Sequence, residues 1–352
     1  MYKNILINAL VNLGDVILAT AACDLIKKNF PAVKITMLVK SVVKDAVIDN
    51  PVVDDVIILD YKARKNSFGK MYDVIKEIRR RKFDLAISFD RKLRPALLTL
   101  AAGIPRRVCP TKIFESKKSR VTLLYTDVIE MDYDLNSKLQ AESFQEIVRR
   151  FFKIEGQGVP HFPKNFSSNV EKLLNQIPAD KLKIALCVKG TFPLKTYPKE
   201  YFAEVVKNLR EKYNAGFFII GAPNDRAYAD EVIAEIGGGV LNFCGETSIL
   251  DLAEIFRRTD LFITVDTGAA HIAATTGVKT LAIFGCVSPK RYAPVNKNSV
   301  TFTSNEPCCP CTVREKDCPS YPKPNCLYNV KPSEIISAAV NFLGSAVSNA
   351  QA

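Results

Sequence analysis

The sequence predicts an α/β protein built from two Rossmann-like, doubly wound domains facing each other across a cleft. Three observations carry that expectation. The 352 residues exceed one typical domain. Short β-branched runs alternate with helical stretches through both halves, and a turn-rich passage, Glu155-Gly-Gln-Gly-Val-Pro160 with Pro163, interrupts the alternation mid-chain. Repeated strand, helix, strand units call for a parallel sheet covered on both faces. The expected boundaries are 1–160, 161–331 with a cysteine-rich loop at 305–328, and a C-terminal helix and tail at 332–352.

In the first half, Ile5 to Ile7, Lys34 to Val39, Val56 to Leu59 and Asp84 to Ser88 read as strands. Asp15 to Asn29 sets Val16, Ala19, Ala22, Cys23 and Ile26 on one helical face, and Phe68 to Lys82 repeats the spacing with Met71, Val74, Ile75 and Ile78. A helix from about Ser137 to Lys153 leads into the linker. In the second half the strands are Ile184 to Val188, Gly216 to Ile220, Leu261 to Val265 and Thr280 to Phe284. Helices at Lys199 to Tyr213, Asp225 to Ile236 and Ile249 to Arg258 separate them, and Pro332 to about Val347 forms a last apolar helix.

Lys3 and the apolar stretch ending in Thr20-Ala-Ala-Cys23 imitate a secretory or lipoprotein signal. Asn8, Asn12, Gly14 and Asp15 break that run, which fits a strand, a turn and a helix better, so a cytoplasmic location is expected. No apolar run reaches the roughly 18 residues of a membrane span. The net charge of +12 is uneven: Arg91, Lys92 and Arg94 form one basic cluster, and Arg106, Arg107, Lys112, Lys117, Lys118 and Arg120 another. Either cluster is a solvated face or the receptor for an anionic partner. Basic residues without interleaved exposed aromatics or a binding motif argue against nucleic acid, and a phosphorylated lipid or glycolipid at a membrane surface fits better.

Leu13-Gly14-Asp15 lies where the first strand turns into the first helix, at the carboxyl edge where α/β sheets bind ligands. Gly14 permits close backbone approach. Asp15 is either a helix N-cap or a carboxylate presented to the cleft. Asp266-Thr-Gly-Ala-Ala-His271 follows another apolar strand and opens a small-residue helix, whose first amides at Thr267, Gly268 and Ala269 suit a diphosphate. The structural alternative makes Asp266 an N-cap and His271 a hydrogen-bonded core residue. Lys195, within Lys189-Gly-Thr-Phe-Pro-Leu-Lys-Thr-Tyr-Pro198, occupies a third carboxyl-edge loop, where it can neutralise phosphate while Thr191 adds a hydroxyl. Neither a G-x-G-x-x-G nor a Walker A motif is present, which argues against a dehydrogenase and an NTPase.

The order of these signatures, an early Gly-Asp turn, a mid-chain Lys before an aromatic-Pro pair, and a late Asp-Thr-Gly with His downstream, resembles the glycosyltransferase family 9 heptosyltransferases over nearly the whole chain. Asp260 to Gly285 is the most specific stretch. The resemblance implies a GT-B architecture and inverting transfer of heptose from an ADP-heptose donor to an anionic lipopolysaccharide core acceptor at the inner membrane surface, with no cofactor for catalysis. It implies that Asp15 is the catalytic base, that Lys195 and the Asp266-Thr267-Gly268 turn hold the diphosphate, and that His271 supports that turn. Gly221 to Asp225 and Gly245 to Ser248 would border the adenosine, and Gly14, Arg91, Arg94, Lys117, Lys118 and Arg120 would meet the acceptor. Tyr197 stands where many relatives carry Trp. A transferase using another ADP-sugar or a protein acceptor, and a noncatalytic nucleotide-sugar-binding protein of the same fold, are the alternatives; loss of turnover in Asp15→Ala separates the last from an enzyme.

Of ten cysteines, Cys23, Cys109, Cys187, Cys244 and Cys286 sit singly among apolar neighbours and read as core residues. Cys308, Cys311, Cys318 and Cys326, with Cys309 as an extra thiol, have the composition of a closed zinc or iron site with a structural role. Free or pairwise oxidised thiols are the alternative.

Overall fold

The computed structural model describes residues 2–59, 67–90, 92–112, 119–131, 138–311 and 315–347. The chain divides into two compact units, Met1–Lys164 and Asn165–Ala352. In the first, strands β1 (Asn4–Asn8), β2 (Lys34–Val39), β3 (Asp55–Ile58), β4 (Leu85–Ser88), β5 (Arg106–Pro110) and β6 (Asp127–Ile129) form one sheet in the order β3-β2-β1-β4-β5-β6. All its pairings are parallel, with Ile5 beside both Ile35 and Leu85. Helices α1 (Leu13–Asn29), α2 (Ser67–Arg81), α3 (Leu93–Ala101) and α4 (Gln140–Phe152) make the crossovers and cover the faces. Two carboxylates fix strand entry: Asp84 accepts from the backbone N–H groups of Lys3 and Asn4 at 2.7 and 2.9 Å, and Asp54 from that of Ile35 at 2.7 Å.

The expected strands and helices are present with ends shifted by a few residues, while β5, β6 and α3 lie where the sequence suggested only a basic segment. Helix α1 also differs from the expected one-sided pattern. Every residue from Val16 to Ile26 is buried, because α4 packs across it and the passage after α4 lies along it. Gly158 N–H donates to Gln145 at 2.7 Å, Val159 N–H to Asp24 at 2.8 Å, and His161 N–H to Thr20 at 2.8 Å. A Cβ on Gly158 would stand 2.0 Å from the Ala21 carbonyl oxygen, so only glycine permits this approach. The stretch read as a linker is therefore tied to the first unit over this part of its length.

The second unit repeats the topology. Its strands β7 (Leu182–Cys187), β8 (Ala215–Ile219), β9 (Val240–Asn242), β10 (Leu261–Val265), β11 (Thr280–Ile283) and β12 (Ser299–Phe302) are parallel in the order β12-β11-β10-β7-β8-β9. Helices α5 (Asn169–Leu174), α6 (Lys199–Lys212), α7 (Arg226–Ile236), α8 (Ile249–Arg257), α9 (Gly268–Thr276), α10 (Pro289–Tyr292), α11 (Asn325–Tyr328) and α12 (Pro332–Val347) complete it. α12 packs on α6, β10 and β11. Strands β7, β10 and β11 are hydrophobic and buried on both faces, as central parallel strands must be. In each unit the strand order reverses beside the first strand, at β1/β4 and at β7/β10, and the carboxyl ends there are the switch points at which open α/β sheets bind ligands.

Candidate functional site

At the switch point of the second unit, three loops converge. After β7 the chain runs through Lys189 to a short 3-10 turn, Pro193–Lys195. Gly190 permits this turn: a Cβ there would lie 2.4 Å from the Lys195 carbonyl oxygen. Tyr197 anchors it from beneath, being fully buried and donating its hydroxyl to the Val330 carbonyl at 2.8 Å. Lys195 is thereby held with its ammonium 2.5 Å from Oδ2 of Asp266, at the end of β10. Both side chains are largely buried, at 19% and 9% exposure. Their contact is an ion pair without the angle of a hydrogen bond, so Oδ2 retains capacity for a further donor.

Helix α9 begins directly afterwards, with Thr267 in the extended N-cap position and no side-chain cap. Asp266 is therefore not the N-cap; it precedes that position and is committed to Lys195. The first amides of α9, at Gly268 and Ala269, have no capping side chain to accept them, an anion-binding arrangement, while Ala270 N–H donates to Thr267 O at 3.2 Å. Thr267 and Gly268 are half-buried beside them, and the Thr267 hydroxyl lies 3.8 Å from the Cys187 thiol. His271, one turn along, is buried, and burial draws its imidazole down to about 4 against the pull of Asp266. It is neutral near pH 7, and among the described residues its Nδ1 has no hydrogen-bond partner, so it is not the fully satisfied core histidine of the structural alternative.

Thr191 is exposed in the same loop, at a cavity of about 490 Å³ that Lys189, Phe192, Tyr228 and Tyr328 also line. The two further loops adjoin. Gly245 N–H donates to Gly221 O at 2.9 Å, and Lys189 pairs with Asp225 at 3.1 Å. Ser248 is already used as the N-cap of α8, in a capping box with Asp251.

In the first unit Asn12 holds the N-cap position of α1, leaving Gly14 and Asp15 within the first helical turn. The N-cap alternative for Asp15 is thus corrected: its carboxylate is half-buried on the carboxyl edge of the sheet. The same edge carries Asn8, Ser88 and Asp90, all buried, with Asn8 Nδ2 donating to Ser88 Oγ at 3.4 Å. Burial pushes the Asp90 carboxyl up, with Lys92 3.6 Å away opposing the shift. Sequence reasoning missed Asp90, although a Ser-Phe-Asp run ending a strand was the available signal.

The basic residues divide. Arg94 is half-buried in the first turn of α3, and Arg120 is exposed at the start of a 3-10 turn, Arg120–Leu124. Arg91, Lys117 and Lys118 lie outside the described residues. Arg106 and Arg107 are not available to an anionic partner as expected: Arg106 pairs with Asp127, and Arg107 donates to the carbonyls of Ile104 and Leu124.

Cys23, Cys109, Cys187, Cys244 and Cys286 are all buried. The late cysteines do not assemble as expected. Cys308 is exposed, and Cys318 lies 3.7 Å from the Ser320 hydroxyl. Cys309 instead contacts Cys326, which holds its thiol well above the usual range, and Cys311 N–H donates to Cys286 O at 2.8 Å. Among the described residues no group of three or more His, Cys, Asp or Glu is arranged to hold a metal ion.

Comparison with known proteins identifies the family and the fold. The sequence model of glycosyltransferase family 9 (heptosyltransferase) matches residues 71–321. The chain is 31% identical to lipooligosaccharide heptosyltransferase 2 of Campylobacter jejuni over 152 residues, which are 42% of this chain and 47% of that one. Its fold is similar to the crystal structure of the glycosyl transferase family 9 from Veillonella parvula, with a TM-score of 0.82 at 21% identity over 97% of this chain and 98% of that one. It is also similar to the structure of E. coli ADP-heptose lps heptosyltransferase II, with a TM-score of 0.77 at 17% identity over 97% and 99%. The paired α/β sheets are those of the GT-B fold of these structures.

Proposed function

Because the chain belongs to glycosyltransferase family 9, and is therefore a glycosyltransferase, we propose that it transfers heptose from ADP-heptose to an anionic lipopolysaccharide core acceptor, with inversion at the anomeric carbon. In this reading residues 161–331 bind the donor, residues 1–160 bind the acceptor, and the protein works in the cytoplasm against the inner face of the inner membrane.

The observation that carries the reading is the Lys195–Asp266 pair beside the uncapped first turn of α9. Lys195 supplies a cation, Gly268 and its neighbours supply amides, and Thr191 and Thr267 supply hydroxyls, a set suited to a diphosphate. Asp266 aims the ammonium, and neutral His271 fills the space under the turn without adding a charge that would compete with Lys195. When the bond from the anomeric carbon to the diphosphate oxygen breaks, the charge left on ADP falls on groups already in position. The new bond forms from an acceptor hydroxyl oxygen, whose proton passes to the Asp15 carboxylate. Arg94, Arg120, Arg91, Lys117 and Lys118 are assigned to the anionic acceptor, with Gly14 giving it room beside Asp15.

Transfer in this reading requires no cofactor. A structural zinc or iron held by Cys308, Cys311, Cys318 and Cys326 needs four sulfurs that the described residues do not bring together.

The test is ADP release from ADP-heptose with a panel of truncated core glycolipids. Asp15→Asn is expected to lower kcat by about 10²- to 10⁴-fold while ADP affinity stays unchanged. Undiminished turnover in Asp15→Asn, or donor binding with no release on any acceptor, rejects the transferase mechanism in favour of a binding protein.

A further inference from the structure

Helix α3 has an unusual solvent face. Its inner side, Ala96, Leu98 and Thr99, is fully buried. Its outer side repeats leucine at Leu93, Leu97 and Leu100, spaced four and three apart on one face and 54%, 40% and 40% exposed. A surface helix ordinarily places polar residues there. The Arg120–Leu124 turn extends the surface. Val121 and Leu124 pack with Tyr125 and Cys109 against Ala96, while Leu123 is turned outward and 82% exposed. Arg107 holds the two pieces together through its bonds to Ile104 O at 2.6 Å and Leu124 O at 3.1 Å, so the leucines are presented on a fixed base.

Charge identifies the occupant. From Asp90 to Asp127 the sequence has nine Lys or Arg against three acids, Asp90, Glu115 and Asp127. Arg106 and Arg107 are engaged within the fold, while Lys92 and Arg120 are exposed at the start of α3 and at the turn. Two copies of such a face would repel one another, whereas an anionic lipid surface satisfies both the cations and the leucines. Among the described residues no helix is long and apolar enough to cross a membrane, so contact of this kind is interfacial.

We infer that the face made by α3 and the Arg120–Leu124 turn docks on an anionic phospholipid bilayer, its leucines entering the interface and its basic rim meeting the headgroups; the purpose of such docking rests on the reading of a lipid-borne acceptor. The test is co-sedimentation of the full chain with phosphatidylcholine vesicles, with and without about 30% phosphatidylglycerol. Wild type is expected to partition onto the anionic vesicles and to be released by about 0.5 M salt. The double variant Leu97→Gln/Leu123→Gln is expected to lose about tenfold in partitioning, with its melting curve and its ADP release on a short soluble acceptor unchanged. Equal partitioning of variant and wild type overturns the inference, as does wild type that ignores anionic vesicles. A wild-type dimer that the variant dissociates, without vesicle binding, assigns the face to a second copy and also overturns it. Vesicle binding that depends on the leucines, without sugar transfer to any acceptor, leaves the docking face standing and overturns the transferase reading instead.

Discussion

His271 lies inside the second unit near Asp266 and Lys195, and its imidazole resists protonation until about pH 4. The unfolded chain, with an ordinary imidazole at 6.5, takes up that proton earlier. The unfolded state therefore binds more protons between pH 6.5 and about 4, and the stability conferred by a neutral His271 is present above 6.5 and lost as the pH falls through this window. Urea titrations across the window are expected to show wild type losing about 3 kcal/mol more than His271→Gln. Equal losses would mean that the imidazole is protonated in the native protein. At this scale the sequence was partly legible. Lys195, Asp266 and His271 in the second unit, and Asp15 in the first, could be placed at carboxyl-edge loops from sequence, because such loops can be found once strands are found. Whether an Asp caps its helix could not be read, since that depends on where the helix begins: Asn12 and Thr267 take the cap positions, so neither Asp15 nor Asp266 is the N-cap of its helix. Asp90 went unseen because its burial comes from residues distant in sequence.

Among the elements, the strongest strands and helices were legible from apolar spacing, and the misses have identifiable causes. Strand β5 opens with Arg106 and Arg107 and closes on Pro110, a composition that resembles a loop until each guanidinium finds its partner. Helix α3 shows no polar side in sequence, because leucines occupy both its inner and outer faces. β9 and β12, with three and four residues, are short edge strands that give a weak period-two signal. The contact of the 155–162 passage with α1 is also tertiary, and Gly158→Ala measures it. The added Cβ would meet backbone at 2.0 and 2.7 Å, which cannot yield as a flexible side chain can. A destabilisation of about 2–4 kcal/mol is expected in the urea midpoint. Gly69→Ala in α2 is the control: nothing lies within 4 Å of its added Cβ, so it is expected to stabilise by about 0.5–1 kcal/mol. Similar midpoints for the two variants would show that the passage does not rest on α1 in solution.

For the whole molecule, the alternation of strands and helices conveyed two α/β units, and the structure adds that both use one strand order. Each unit has its own sheet and its own hydrophobic cluster, and chains organised in this way often depart from two-state unfolding. Calorimetry is expected to show two transitions. ADP at about 100 times its Kd is expected to stabilise the transition of the second unit by about 2.7 kcal/mol, or roughly 5–10 °C. ADP that shifts the first unit's transition alone would contradict the assignment of the donor to the Lys195 and Asp266 loops.

The buried bond from Tyr197 to Val330 spans 133 residues of sequence. It joins the turn that positions Lys195 to the stretch of chain entering α12, so a late segment of the polypeptide serves as a foundation for the loop proposed to hold the nucleotide. Wear at that foundation, from a shortened tail or a cut ahead of Val330, should show first as poorer retention of nucleotide while both sheets stay intact.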